Sequence, residues 1–259
     1  MHTDAVQLSH EELLLVLALL KLPTPLALGP RPADGFEALG LGAALAAASS
    51  SLVARDLAYP GASLEQPPTP VPALAALASA VALAEGCLFL AERRGAERRT
   101  SHLSVQGSNL VLHTAPVPRI HRLARMADAT VAITWLTEQI STPEAAHGPS
   151  VRAPVATLAS ALEALEAGHV ATAEAQLAAA GVAESHAFVA AVGPQPTRFV
   201  LAAMRRLQAP VPVGRAALAL CGPNATWWGA SDPDLVELRP LGAKGLQREL
   251  HDLVGWMQE

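Results

Sequence analysis

Lysine is almost absent from this sequence, since only Lys21 and Lys244 occur among its 259 residues. Charged residues make up 16% of the chain, and the formal net charge is -5. Proteins that bind nucleic acid in general present a basic face that neutralises phosphates. The composition therefore disfavours a general polyanion-binding protein and leaves room only for a local basic patch built from arginine.

Cysteine is equally scarce, because Cys87 and Cys221 are the only two in the chain. Two cysteines cannot build the framework of several disulfides that stabilises small secreted proteins. They predict reduced, buried thiols in a cytoplasmic protein.

No stretch of the sequence predicts export or a membrane span. The apolar run Leu13–Leu20 follows Glu11 and Glu12, whereas the apolar run of an export signal follows basic residues. The longest weakly charged run, 73–91, consists largely of alanine and is broken by Glu85. We therefore expect a cytoplasmic protein without a membrane segment.

The chain is rich instead in alanine, leucine and valine: hydrophobic residues account for 51%, and only 3% of residues are aromatic. This composition can form a sizeable core of closely packed helices. The first helix is predicted to begin at Ser9, because Ser9 and Glu12 have the spacing of a capping box. Leu13, Val16 and Leu17 supply its apolar face.

Two stretches, 100–140 and 215–257, follow the same plan of strands, a turn and a closing amphipathic helix. The segment 141–152 contains two prolines and a glycine and divides them. We expect an internally duplicated chain whose halves, 1–142 and 143–259, form one intertwined globular unit. The predicted fold class is α+β and pseudo-two-fold, with a central, mostly antiparallel sheet flanked by helical bundles.

Short apolar runs bounded by turns predict the strands of this sheet. In the first half they form a three-stranded meander: 87–91, 102–106 and 110–113. In the second half they are 198–204, 216–221 and 226–228, with a further extended piece at 235–238. The charged segment Glu92–Arg99 and the segment Gln106–Asn109 are predicted to be turns between strands.

The sequence contains no P-loop, no dinucleotide-binding glycine motif and no nucleophile elbow. We therefore expect a protein that is not an enzyme and that holds no cofactor. The best candidate for a metal site is the pair His102 and His113, which could face each other across a hairpin. Histidines at the surface or at a strand edge are the favoured interpretation, because one pair falls short of a usual ligand set.

The predicted turn at 92–99 carries the arginines that we regard as candidate partner-binding residues: Arg93, Arg94, Arg98 and Arg99. They could form a basic surface for an acidic protein partner or for nucleic acid. Alternatively, they could be a solvated turn whose charge is balanced by Glu92 and Glu97. Nucleic acid is the less favoured partner, because no aromatic side chains are interleaved for base stacking.

Trp227 and Trp228 are the other candidate partner-binding residues. Neighbouring side chains in a strand point to opposite faces. One tryptophan could therefore fill the core while the other is presented outward as an interface anchor. In the alternative interpretation, a flanking helix covers the second tryptophan.

Several segments resemble EspG-type proteins, the cytosolic chaperones of type VII (ESX) secretion. The resemblance lies in Leu8–Leu13 (LSHEEL), Leu22–Leu26 (LPTPL) and Ser51–Leu57 (SLVARDL), and in the repeated order of helices followed by sheet. It implies a quasi-two-fold α+β fold without enzymatic activity. It also implies a protein partner, the apolar helical tip of a PE–PPE-type export substrate, which such chaperones keep soluble.

Two functional hypotheses follow. The first is a non-enzymatic cytoplasmic chaperone or adaptor that binds a helical protein partner, for example a type VII secretion substrate. The alternative is a nucleic-acid-binding regulator that uses the arginine-rich segment and the predicted helix 128–140. Neither hypothesis requires a metal, a cofactor or a membrane.

Overall fold

The structure is a computed structural model of the chain. It describes residues 5–29, 38–63, 66–140, 142–223, 225–230 and 234–259. The turn expected between the predicted strands 216–221 and 226–228 lies partly outside these residues, because Asn224 is not among them.

The first half begins with a strand and three helices and then forms four long strands and a closing helix. Its elements are β1 (Ala5–Ser9), α1 (His10–Leu19), α2 (Ala38–Ala54), β2 (Ala58–Tyr59), β3 (Thr69–Pro70), α3 (Pro72–Ala82), β4 (Gly86–Arg94), β5 (Glu97–Gln106), β6 (Asn109–Val117), β7 (Ile120–Met126) and α4 (Ala129–Ile140). A single turn of 3₁₀ helix, Leu26–Leu28, follows α1.

The second half repeats this order without the short pair β2–β3. Its elements are β8 (Val151–Pro154), α5 (Val155–Glu166), α6 (Val170–Ala179), α7 (Ser185–Val192), β9 (Thr197–Arg205), β10 (Val213–Cys221), β11 (Thr226–Ala230), β12 (Leu235–Leu241) and α8 (Ala243–Gln258). The predicted α+β class is therefore confirmed.

One ten-stranded sheet runs through both halves in the order β1-β7-β6-β5-β4-β9-β10-β11-β12-β8. Its strand pairs are antiparallel, including the central pair β4–β9 that joins the halves. The strand order is symmetric about the centre of the sheet. Counted from the two edges inward, β1 corresponds to β8, β7 to β12, β6 to β11, β5 to β10 and β4 to β9. This symmetry is what the predicted duplication requires, and the boundary at 142 stays a prediction.

Helices lie on both faces of the sheet. The front face carries α1–α3 over the first half and α5–α7 over the second, in two separate apolar cores. The back face carries α4 and α8 over a third core that spans both halves. Because side chains alternate along a strand, Leu88 and Leu90 point to the back face, whereas Phe89 and Ala91 point to the front.

The capping box predicted at the start of α1 is confirmed. Ser9 Oγ accepts from the Glu12 N–H at 3.1 Å, and Glu12 Oε2 accepts from the Ser9 N–H at 2.7 Å. The buried carboxylate of Glu12 also binds Ser51 and Arg55 of the segment that ends α2. A local capping signal therefore also ties α1 to α2.

The sheet is more extensive than the predicted strands. The segment Glu92–Arg99 is not a turn, because β4 and β5 continue through it and only Gly95 and Ala96 form the turn. The segment 114–126, predicted only in part as extended, continues β6 and forms β7, and the edge strands β1 and β8 were not predicted. Pairing across the sheet extended strands into segments whose charged or proline residues locally disfavour them.

Within the described ranges, no helix is both long enough and apolar enough to cross a membrane.

Candidate protein-binding site

The four central strands place an open apolar surface on the front face. Ala91 of β4 lies opposite Thr100 of β5 and Val200 of β9, and Val200 lies opposite Leu218 of β10. The next row along the strands contains His102, Phe89, Ala202 and Ala216. These side chains form the floor of what we call the central trough.

The floor remains accessible because the helices of the front face pack toward its two sides. α3 packs over β5, β6 and β7, whereas α5 packs against β8 and β12. Between them Val200 is 42% exposed, Ala91 is also exposed, and Phe89 and Leu218 are only half-buried. An exposed apolar surface at the centre of a sheet, framed by two helical layers, is typical of a binding surface.

One end of the trough is positively charged. Arg98, Arg93 and Arg198 lie side by side on β5, β4 and β9. The buried carboxylate of Glu166, at the end of α5, lies between two of them: its Oε2 is 3.0 Å from Arg93 Nε and its Oε1 is 3.3 Å from Arg198 Nε. These contacts are ion pairs rather than well-aligned hydrogen bonds. Glu166 pairs with two of the three neighbouring arginines, so this end retains positive charge.

The other end of the trough opens into a small apolar cavity of about 220 Å³. Its walls come from the loop after α1, the end of α3, strands β4 and β9, and the β9–β10 connection; they include Leu26, Val81, Cys87, Met204 and Pro212. Burial raises the pKa of the Cys87 thiol to about 12, so this thiol stays protonated and is a poor nucleophile. The largely apolar walls of the cavity therefore suit an apolar group.

The structure divides the four predicted arginines between the two faces of the sheet. Arg93 and Arg98 are directly opposite each other and belong to the front face, at the end of the trough. Arg94 and Arg99 belong to the back face, where Arg99 pairs with the exposed Glu97 at 3.3 Å. The prediction of one basic turn is therefore wrong, because strand alternation separates its members. Their role in partner binding stays a prediction.

Trp227 and Trp228 point to opposite faces of β11, as predicted, but both are covered. Trp227 is fully buried in the front core of the second half, with its ring edge-on to Phe188. Trp228 is 4% exposed and packs in the back core with residues of α8. The interpretation in which one tryptophan is presented outward is wrong, because α8 covers the second indole.

His102 and His113 do face each other across the β5–β6 hairpin, as the sequence suggested. The favoured interpretation as surface or strand-edge histidines is wrong, because His113 is buried and both strands lie inside the sheet. They form part of a longer line of histidines, and among the described residues no group of three or more ligand side chains could hold a metal ion. Cys87 is buried, and Cys221, which is partly buried, donates from Sγ to the Ile140 carbonyl at 3.0 Å. Both sulfurs are free thiols, as predicted.

The residues that form the trough were not singled out from the sequence. Ala91 lies in a run that reads as a buried strand, and Val200 lies in a similar run in the second half. An apolar strand residue looks the same whether or not a helix covers it. The paired arginines after the first run, Arg93 and Arg94, were a local signal, and Arg93 lies at the charged end.

Comparison with known proteins identifies the fold. No protein-family model and no curated sequence matches the chain. Among solved structures, the chain is similar to the type VII secretion system chaperone EspG5 of Mycobacterium tuberculosis, solved in complex with a PE25–PPE41 dimer. The identity is 10%, the match covers 98% of this chain and 96% of that one, and the TM-score is 0.69. The resemblance to EspG-type chaperones is therefore confirmed at the level of the fold.

Proposed function

We propose that this protein is a non-enzymatic chaperone or adaptor that binds a helical segment of a protein partner in the central trough. The observation that carries this proposal is the accessible apolar floor formed by Ala91, Val200 and Leu218 between two helical layers. The shared fold with a chaperone solved in complex with a protein dimer supports a partner of the same kind, a type VII secretion substrate.

The dimensions of the trough fit a single helix. Four strands span three interstrand gaps, which gives a floor about 14 Å wide. An α-helix with its side chains is about 10–12 Å in diameter. From Cys87 to Arg93 the floor runs along six residue steps of β4, or about 20 Å. A helix of about 13 residues would cover that length.

The chemistry of the trough indicates what such a helix must present. Its buried stripe must be largely apolar, because most of the floor consists of alanine, valine, leucine and phenylalanine side chains, with Thr100 and His102 on one side. At the end near Arg93 and Arg98, acidic side chains or the carbonyl-rich C-terminus of a helix would meet a positive surface. We infer a cytoplasmic protein that covers an otherwise exposed apolar helix of its partner.

Replacing Val200 by Asp tests the floor of the trough. We expect the dissociation constant for the partner to rise about 100-fold, because an unpaired carboxylate buried by the partner costs at least about 3 kcal/mol. The partner is first identified by affinity capture from the native host with mass spectrometry. Titration calorimetry with the purified pair then gives the dissociation constant.

Val131→Asp is the matched control, because Val131 is 38% exposed and belongs to α4 on the back face. This variant should bind like the wild type. The trough would be rejected as the site if Val200→Asp, with an unchanged circular dichroism spectrum, bound equally well. The absence of any enriched protein partner from the host would reject the function.

Replacing Arg98 by Glu tests the charged end. We expect association with the partner to slow about tenfold at low salt and the difference to shrink at high salt, because exposed charges act mainly on the encounter rate. Arg99→Glu makes the same change one residue away on the back face and should leave the rate unaltered. Equal effects of both variants, measured by stopped-flow fluorescence, would indicate only a general effect of net charge.

A further inference from the structure

Four histidines form a line beneath the first helical layer. His10, the first residue of α1, lies with Nδ1 3.0 Å from His121 Nε2 on β7. The other ring nitrogen of His121, Nδ1, is 2.9 Å from His113 Nε2 on β6. The ring of His113 then lies 5.8 Å from that of His102 on β5, centroid to centroid. We call this line the histidine chain.

The histidine chain ends in the floor of the trough. The ring of His102 meets that of Phe89 edge-on, with centroids 4.7 Å apart and planes at 84°. Phe89 is one of the side chains of the open floor. The line therefore connects the start of α1 with the proposed binding surface.

The two hydrogen bonds of His121 determine which ring nitrogens of the histidine chain carry a hydrogen atom. A neutral imidazole has one donor and one acceptor nitrogen, so His121 must donate to one neighbour and accept from the other. His113 Nδ1 is buried without a hydrogen-bond partner, and a buried orphan N–H is rarer than a buried orphan acceptor. The favoured arrangement therefore has His113 donating to His121, and His121 donating to His10.

The surroundings keep the inner histidines neutral. Burial is the main cause that lowers the pKa of His102 to about 4, that of His113 to about 3 and that of His121 to about 4. Repulsion from neighbouring histidines acts in the same direction, whereas Glu11 acts against it on His121.

Two carboxylates of α1 near the histidine chain are paired with arginines. Glu11 of α1 binds Arg119, with Oε1 and Nη2 2.6 Å apart, and Glu12 of α1 binds Arg55. Helix α3, which packs over β5, β6 and β7, contributes no titratable side chain. The front side of β4 contributes the aromatic ring of Phe89 to this region. Glu11, the carboxylate that acts on His121, is thus shared with an arginine.

An added proton cannot be accommodated by this arrangement. Protonation of His121 turns its acceptor nitrogen into a donor, so that two N–H groups face each other at its contact with His113. If His113 instead accepts the new N–H at its Nε2, its own proton must move to Nδ1. That nitrogen is buried and has no hydrogen-bond partner. The first outcome breaks the contact between β6 and β7 beneath α1, and the second leaves an unpaired N–H buried there. Release of α1 would expose either group to water.

We propose that the histidine chain is an acid-sensitive latch that holds α1 and the first helical layer on the sheet at neutral pH and releases them on acidification. The sign follows from the lowered pKa values of the folded state: below the unfolded pKa of about 6.5, the unfolded chain binds more protons than the folded one. The contribution of the latch is complete above about pH 6.5 and is lost as the pH falls toward 4.

Hydrogen exchange of the full chain tests the latch directly. Between pH 7.5 and pH 5.0, we expect the protection of backbone amides in α1 and β7, corrected for intrinsic rates, to fall at least tenfold. The protection of amides in α5 and α6, which pack against no line of histidines, should fall much less. Unchanged protection of α1 at pH 5.0 would overturn the proposal.

The variant His121→Gln separates titration from hydrogen bonding, since a glutamine amide both donates and accepts but does not titrate in this range. Its α1 amides should lose less protection between pH 7.5 and pH 5.0 than those of the wild type, because only His102 and His113 then contribute to the acid response. The control His186→Gln removes an exposed histidine of the second half that pairs with Glu174, and it should retain the acid response. An equal acid response in wild type and His121→Gln would contradict the latch.

Direct titration of the wild-type histidine rings by NMR covers the case in which His121→Gln does not fold. Ring signals of His113 and His121 that titrate near pH 6.5 with α1 still protected would overturn the proposal.

The latch itself does not require the proposed function; only an effect of the latch on partner binding does. If the latch opens but partner affinity at pH 5.0 is unchanged, the connection through Phe89 to the trough is rejected, and the latch stands.

Discussion

Replacement of Trp227 by alanine is expected to destabilise the protein by about 4 kcal/mol, the upper part of the range for large-to-small substitutions in a core. The indole is fully buried and packs edge-on against Phe188, with ring centroids 5.4 Å apart. Its Nε1 donates to the Pro149 carbonyl at 3.0 Å. Alanine leaves a cavity in the core of the second half and removes the bond that fixes the segment before β8.

Urea unfolding followed by circular dichroism at pH 7.5 measures this effect without relying on tryptophan fluorescence. Trp227→Phe separates the two contributions, because it retains most of the ring volume and loses only the hydrogen bond and part of the packing. We expect it to cost about half as much as alanine. A loss below about 1 kcal/mol for Trp227→Ala would contradict the burial of this side chain.

The same reasoning changes how a Trp228 variant should be interpreted. Trp228 packs beneath α8 in the back core, which contains residues of both halves. Its removal therefore lowers the stability of the whole fold. A loss of partner capture by Trp228→Ala would then report damage to the scaffold and not the loss of a contact. Val200 is the better probe of binding, because its side chain is accessible in the free protein.

Replacement of Glu12 by alanine is expected to cost about 3 kcal/mol, the value for removing one partner of a buried ion pair. The carboxylate is almost fully buried and accepts from the Ser9 N–H, from Ser51 Oγ at 2.7 Å and from Arg55 Nη1 at 2.9 Å. The estimate stays at the lower end of the range because the Arg55 side chain is partly exposed and can regain water.

Two further substitutions separate charge from hydrogen bonding at this position. Glu12→Gln keeps an acceptor for Ser9 and loses the ion pair, so we expect an intermediate cost. Glu11→Ala is the neighbouring control, because the ion pair of Glu11 with Arg119 is partly exposed, and it should cost less than about 1 kcal/mol. Thermal unfolding at pH 7.5 ranks the three variants; equal midpoints for Glu11→Ala and Glu12→Ala would contradict a bridging role for Glu12.

The sequence by itself determined those features whose causes are local. The capping box at Ser9 and Glu12 predicted the start of α1, since both hydrogen bonds form within one turn of the chain. Apolar runs and turn residues predicted most of the central strands. The repeated order of helices and strands predicted an α+β fold with a central antiparallel sheet. Alternation along β11 predicted that Trp227 and Trp228 point to opposite faces.

Only the tertiary structure decided which of these surfaces are covered. Trp228 is buried because α8 lies over it, and Val200 is exposed because the two front layers stop short of the central strands. The contacts of Glu166 with Arg93 and Arg198, and the histidine chain from His10 to His102, join residues far apart in sequence. Burial and pairing of this kind depend on where distant elements pack, which no local pattern encodes.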